Sequence, residues 1–179
     1  MATDFLRDGL FLVAWFGLMT CVWLGWAQEA PPKRAVGWLG LGSVLGTAAA
    51  AAGGYAVWAH WDGASALEGR FAWFGVLVGA EVVAAAVACL VLWRQGRARW
   101  FSFAVALVVA AHFVPLAVLL RDWALAILGV LQFALVVAAA RFARRWSLTP
   151  SFPIGVAMGS TLLLASGLAA LWWLPAGLA

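Results

Sequence analysis

Three polar side chains interrupt apolar runs that are otherwise free of strong polarity: Glu81, His112 and Gln132. A carboxylate and an imidazole can share a proton or hold a small cation, and a primary amide can both donate and accept toward their remaining valences. In hydrocarbon an ionisable group costs several kcal/mol unless it is paired or faces water, so such a residue marks a site by default. The spacing places the three at one depth. Glu81 lies ten residues past Phe71, Gln132 ten past Asp122, and His112 nine before Arg121. At 1.5 Å per helical residue these are about 15, 15 and 13 Å from the same boundary. Ser166, about eight residues from the end of the last apolar run, adds a hydroxyl near that level. Pro115 withdraws a helical N–H from the carbonyl of Ala111, which leaves an acceptor beside His112.

Three uses of this set are compatible with its chemistry. In the leading one, Glu81 binds a proton or small cation, with His112 and Gln132 as co-ligands, in a carrier or ligand-binding protein. In the second, Glu81 is the general acid or base of a membrane-embedded enzyme, His112 tunes it, and the substrate is lipid- or isoprenoid-like. Trp15 and Phe74 would then wall the pocket, and Ser166 would complete the ligand-binding set. In the third, the protein is a structural or accessory subunit whose polar groups clasp helices together at about 0.6–2 kcal/mol each. No cofactor or metal is expected. The second histidine, His60, adjoins Trp61 and Asp62 at the end of an apolar run and reads as interfacial. HExxH, CxxC, phosphate-loop and nucleophile-elbow patterns do not occur. Cys21 and Cys89 fall inside apolar runs and read as inert thiols.

These side chains need long helices to hold them. The 179 residues are 66% hydrophobic and 10% charged, with a mean hydropathy of +1.01. A soluble domain is about 45–50% apolar and about 25% charged, so both a soluble globular domain and a disordered chain are excluded. The +4 net charge gathers on no face suited to nucleic acid. A spanning helix needs roughly 20 apolar residues, and the charges divide the chain into six such runs. The expected helices cover about 6–27, 35–59, 71–93, 99–120, 122–141 and 152–174. The fold class is therefore all-α: a single-domain polytopic integral membrane six-helix bundle. Barrel strands would alternate every second residue, and these runs are continuous. Lys33, Arg34, Arg94, Arg97, Arg99, Arg141, Arg144 and Arg145 fall in alternate connections, leaving Arg7, Arg70 and Arg121 at the other end. The basic loops (33–34, 94–99, 141–145) are thus read as cytoplasmic and both termini as outside. The first run lacks a basic flank and a small-x-small cleavage site, and reads as a retained span. An Ala-, Gly-, Arg- and Trp-rich chain with one Lys fits a GC-rich bacterial genome, so the expected location is a bacterial inner membrane.

Of the 13 Trp residues, Trp58, Trp61, Trp73, Trp123, Trp172 and Trp173 map to one boundary. Trp26, Trp38, Trp93, Trp100 and Trp146 map to the other, with Trp23 one turn inside. Anchoring in the interfacial belt explains these, and only Trp15 lies well within a span. Small residues recur every four positions at Gly42, Gly46, Ala50 and Gly54, at Gly75 and Gly79, and at Gly155 and Gly159. Such stripes let helix backbones approach within the bundle or between two copies. The partners expected are therefore the lipid bilayer, a small-molecule or lipid-like ligand, and a second copy through the second or sixth span. A reporter active only in the cytoplasm, fused after Ala179, is expected to be silent; strong activity would overturn the span count or the orientation.

Overall fold

The computed structural model describes residues 3–178; Met1, Ala2 and Ala179 lie outside the described residues. It contains six long helices: α1 (Leu6–Ala27), α2 (Val36–Ala59), α3 (Phe71–Arg94), α4 (Phe101–Leu119), α5 (Trp123–Arg145) and α6 (Ser151–Gly177). Each is long and apolar enough to cross a membrane, and no strand occurs among the described residues. Two ends differ from expectation. α5 continues through Arg141 to Arg145, because arginine favours helix and its charge suits a helix C-terminus. α6 runs through Pro175 to Gly177. A proline this near the end removes a single helical hydrogen bond, and the helix re-forms beyond it with Leu178 N donating to Leu174 O at 3.0 Å.

Three of the connections close in the same way. Gly96, Arg121 and Ser147 take positive φ values of 67°, 53° and 50° just past α3, α4 and α5. The next N–H then reaches five residues back: Arg97 to Leu92 O at 2.8 Å, Asp122 to Ala117 O at 3.0 Å, and Leu148 to Ala143 O at 3.0 Å. These bonds satisfy carbonyls that a helix end leaves open. At Arg121 and Ser147 the left-handed conformation costs about 1–2 kcal/mol that a glycine would not incur. Asp122 is fully buried and caps α5, its Oδ1 accepting from Ala124 N at 2.9 Å.

α1 lies between α2 and α6, and glycines set both contacts. A β-carbon at Gly46 would sit 2.7 Å from Gly17 O and 3.0 Å from Thr20 Cβ. One at Gly53 would sit 2.6 Å from Ala14 N, and one at Gly155 would sit 2.5 Å from Trp23 O. Gly42 and Gly159 both press on the Leu24 side chain. The expected stripe is therefore corrected at its end. Gly53, not Gly54, faces α1, because a period of 3.6 residues drifts from a period of four. Gly75 and Gly79 of α3 meet nothing within 4 Å and do not pack inside the chain. α4 and α5 form the other side of the bundle. The Phe113 ring meets Phe16 of α1 edge to face at 5.8 Å, and Leu125, Val136, Ile154, Met158 and Leu162 fill the core between them.

α3 stands at the edge. It has no buried residue and packs chiefly on α4. Its half-buried positions are Phe74, Leu77, Val78, Glu81, Ala85, Ala88, Cys89 and Leu92, a helical stripe of period 3.6. At the end where α1 starts, the 60–70 connection folds over α1. Asp8 Oδ2 accepts from Ala66 N at 2.7 Å, and Arg7 Nη1 donates to Trp61 O at 2.7 Å. Most tryptophans near helix ends are broadly exposed, among them Trp38, Trp58, Trp73, Trp93, Trp123 and Trp172. Trp26, Trp100 and Trp173 are half-buried, and Trp23 departs furthest: it is 3% exposed and stacks on Trp26 at 5.5 Å, so it is a core residue, not an anchor.

The paired glycine environments yield a contrast. Gly46→Leu should lower stability by about 1–3 kcal/mol through overpacking against α1, whereas Gly79→Leu should stay within about 0.5 kcal/mol. Thermal unfolding in detergent checks both, and equal midpoints for the two variants would contradict this packing.

Candidate functional site

Glu81 sits on the half-buried stripe that turns α3 toward α4, and His112 lies in the middle of α4. His112 Nδ1 is 3.1 Å from Glu81 Oε2, with the two side chains 10% and 22% exposed respectively. This is ion-pair distance, though the ring nitrogen is not aligned for a well-directed hydrogen bond. The position of His112 is fixed by its neighbours. Phe113 anchors the same turn to α1 through Phe16. On the α5 side, a β-carbon at Gly129 would sit 2.7 Å from Ala110 O and 2.8 Å from Phe113 Cβ, so α5 closes directly on this turn. α4 remains helical across Pro115. The pair thus joins a well-anchored helix to a peripheral one. A carboxylate next to an imidazole can exchange a proton or hold a small cation, and Glu81 keeps part of its surface uncovered by the rest of the chain.

The remaining residues of the expected set are placed elsewhere. Gln132 is fully buried, but its Nε2 donates to Thr161 Oγ1 of α6 at 3.0 Å, and Oε1 has no hydrogen-bond partner among the described residues. Thr161 Oγ1 lies 2.9 Å from both Ala157 O and Met158 O, to which it can donate in turn. Ser166 is also fully buried and donates to Val13 O of α1 at 2.9 Å. Phe74 is half-buried against the main core on the α3 stripe, two turns from Glu81. Trp15 is 45% exposed and stacks on Phe11 at 6.0 Å on the outer face of α1. His60 Nδ1 lies 3.0 Å from Ala56 O of its own helix. The polar residues therefore divide into an acid–imidazole pair between α3 and α4, an amide–hydroxyl pair between α5 and α6, and a hydroxyl–carbonyl bond between α6 and α1. Thr161 escaped the sequence reading; its signal was a hydroxyl inside the last apolar run.

Cavities open on the surface at two places away from the acid–imidazole pair. One, of about 300 Å³, lies between α5 and α6 and is lined by Ile127, Leu128, Leu131, Thr161, Leu164 and Leu168, among others. The other, of about 480 Å³, lies among the basic residues near the α3–α4 turn. Neither is lined by Glu81 or His112. An all-helical chain with six helices of membrane-crossing length and composition has the make-up of a multi-pass membrane protein. The chain matches no family model, no curated protein and no solved structure.

The amide–hydroxyl pair has a measurable signature. Thr161→Val should cost about 1–3 kcal/mol, because it leaves the buried Nε2 of Gln132 without an acceptor. Adding Gln132→Leu should recover most of that loss, since removing both partners of a buried bond is nearly neutral. A double variant less stable than Thr161→Val in detergent unfolding would contradict the pairing.

Proposed function

We propose that this is a small multi-pass membrane protein whose Glu81–His112 pair binds a proton or small cation, as the ligand-handling centre of a carrier. The observation that carries the reading is the 3.1 Å contact between the two side chains with Glu81 still partly exposed. An ionisable pair far from helix ends, when charged, costs more in desolvation than it returns unless its geometry is excellent. Apolar residues would hold α3 to α4 at lower cost, so a use for the titratable groups is the simpler reason for their presence. Gln132, through its Nε2, and Ser166 bond between other helices and act as clasps in this reading. In the orientation that the basic loops favour, both termini face outward in a bacterial inner membrane, and the pair lies in the outer half of the bilayer.

The experiment separates function from clasp. Glu81→Gln keeps the shape of the side chain and removes its titratable proton. It should leave the midpoint of unfolding near that of the parent. Proton flux into proteoliposomes, followed with an entrapped pH dye, or protection of the solubilised protein by sodium, potassium or ammonium, should fall at least tenfold, about 1.4 kcal/mol. His112→Ala combined with Glu81→Gln should then lose less than the sum of the single losses, as expected for residues acting as one unit. A pure clasp reverses this pattern: Glu81→Leu would be neutral or stabilising, and none of these cations would protect the parent. Undiminished flux or protection in Glu81→Gln would sink the assignment.

A further inference from the structure

The larger cavity, remote from the acid–imidazole pair, is built at the turn between α3 and α4. Gly96 ends α3 in the left-handed conformation, and the Arg97 N–H reaches back to Leu92 O at 2.8 Å. A single 3-10 turn, Ala98–Trp100, then leads into α4. The last turn of α5 brings Arg144 to the same place. The cleft of about 480 Å³ is lined by Leu92, Arg97, Arg99, Trp100, Phe103 and Arg144. The Arg144 Cζ lies 4.8 Å from the centroid of the Trp100 ring and the Arg99 Cζ 5.9 Å from it. The Trp100 ring is in turn held edge to face by Phe103 at 5.8 Å.

Two features of this cleft call for an anion. No acid lines it, and none of the three guanidinium groups makes an ion pair or hydrogen bond among the described residues. Three like charges in one cleft repel one another, and a negative charge between them relieves that repulsion. Cation–π contact with Trp100 occupies a guanidinium face and leaves its edge N–H groups free, which is the geometry that grips two oxygens of a phosphate at once. The apolar surfaces of Leu92, Trp100 and Phe103 select further. A free inorganic anion would leave them unused, whereas a phosphodiester joined to glycerol and acyl chains would cover them.

We infer that this cleft binds the headgroup of an anionic phospholipid, with the phosphate between Arg99 and Arg144 and the glycerol–acyl junction against Leu92, Trp100 and Phe103. The inference rests on the six helices crossing a bilayer, which puts the α3–α4 turn at headgroup level. It is independent of Glu81 and of the sidedness of the termini.

The full chain in phosphatidylcholine nanodiscs, titrated with phosphatidylglycerol, tests it by thermal midpoint and by bound lipid counted in native mass spectrometry. Phosphatidylglycerol should raise the midpoint, and the rise should shrink as salt increases. Added phosphatidylcholine and inorganic phosphate should not raise it. Arg99→Gln with Arg144→Gln should weaken phosphatidylglycerol binding at least tenfold, while Arg70→Gln, at the other end of the bundle, should match the parent. Arg144→Lys keeps the charge but loses the planar fork; it should weaken binding threefold or more, and carries the test if the double variant does not fold. Parent-like affinity in whichever of these variants folds overturns the site. So does an equal shift with phosphatidylcholine or with inorganic phosphate, or an equal loss in Arg70→Gln.

Discussion

The bundle depends on backbone-to-backbone contact along α1. Where helices are surrounded by lipid tails as apolar as leucine, burial of apolar surface gives them little reason to associate. Close approach must supply the attraction instead, through many short-range contacts that fade within an ångström of extra separation. Gly17 against Gly46, Gly53 against Ala14, and Gly155 against Trp23 provide it on two sides of one helix. With α1 held in this way, α6 presents Ile154, Met158 and Leu162 to the core, and Phe16 fixes the level at which Phe113 and α4 engage. The place of His112 in the structure follows from that chain of contacts.

α3 is attached by different means. It has no buried residue, and its two glycines meet nothing. Phe74 and Leu77 reach the core from one end, and the Glu81–His112 contact lies about two turns further along. The polar contact therefore sits at the edge of the bundle, on a helix that has no buried residue. The two clasps on α6 are set differently. Ser166 and Gln132 are fully enclosed between helices that also share close apolar packing.

Composition and run length made the six helices legible, because a helix of membrane-crossing length leaves a long uncharged stretch that nothing else in a folded chain requires. The Glu81–His112 pairing was legible from depth together with the short connection between neighbouring helices. Gln132 shares that depth but pairs with Thr161. Depth fixes one coordinate, whereas the direction a side chain takes around its helix turns by about 100° per residue and depends on which helices become neighbours. The same reason separates Gly53 from Gly54 and turns Trp23 into the core although it lies near a boundary rich in anchoring tryptophans. The basic cleft was visible only as a charge count, since its shape comes from the left-handed Gly96 and from the arrival of α5 at the α3–α4 turn.

The bareness of α3 also bears on how such a chain is made. α3 is among the most apolar of the six helices, more so than α1 or α6, whose central windows are half buried against neighbours. A helix that needs no neighbour to shield it can leave the translocation machinery alone, as soon as it is synthesised. α1 and α6, by contrast, pack fully only after α6 has emerged, since the glycine contact between them joins the first and the last of the six helices. Closure of α6 onto α1 would then complete the packing of α1, and until that moment Gly155 and Gly159 of α6 would lie open to any other helix able to approach closely.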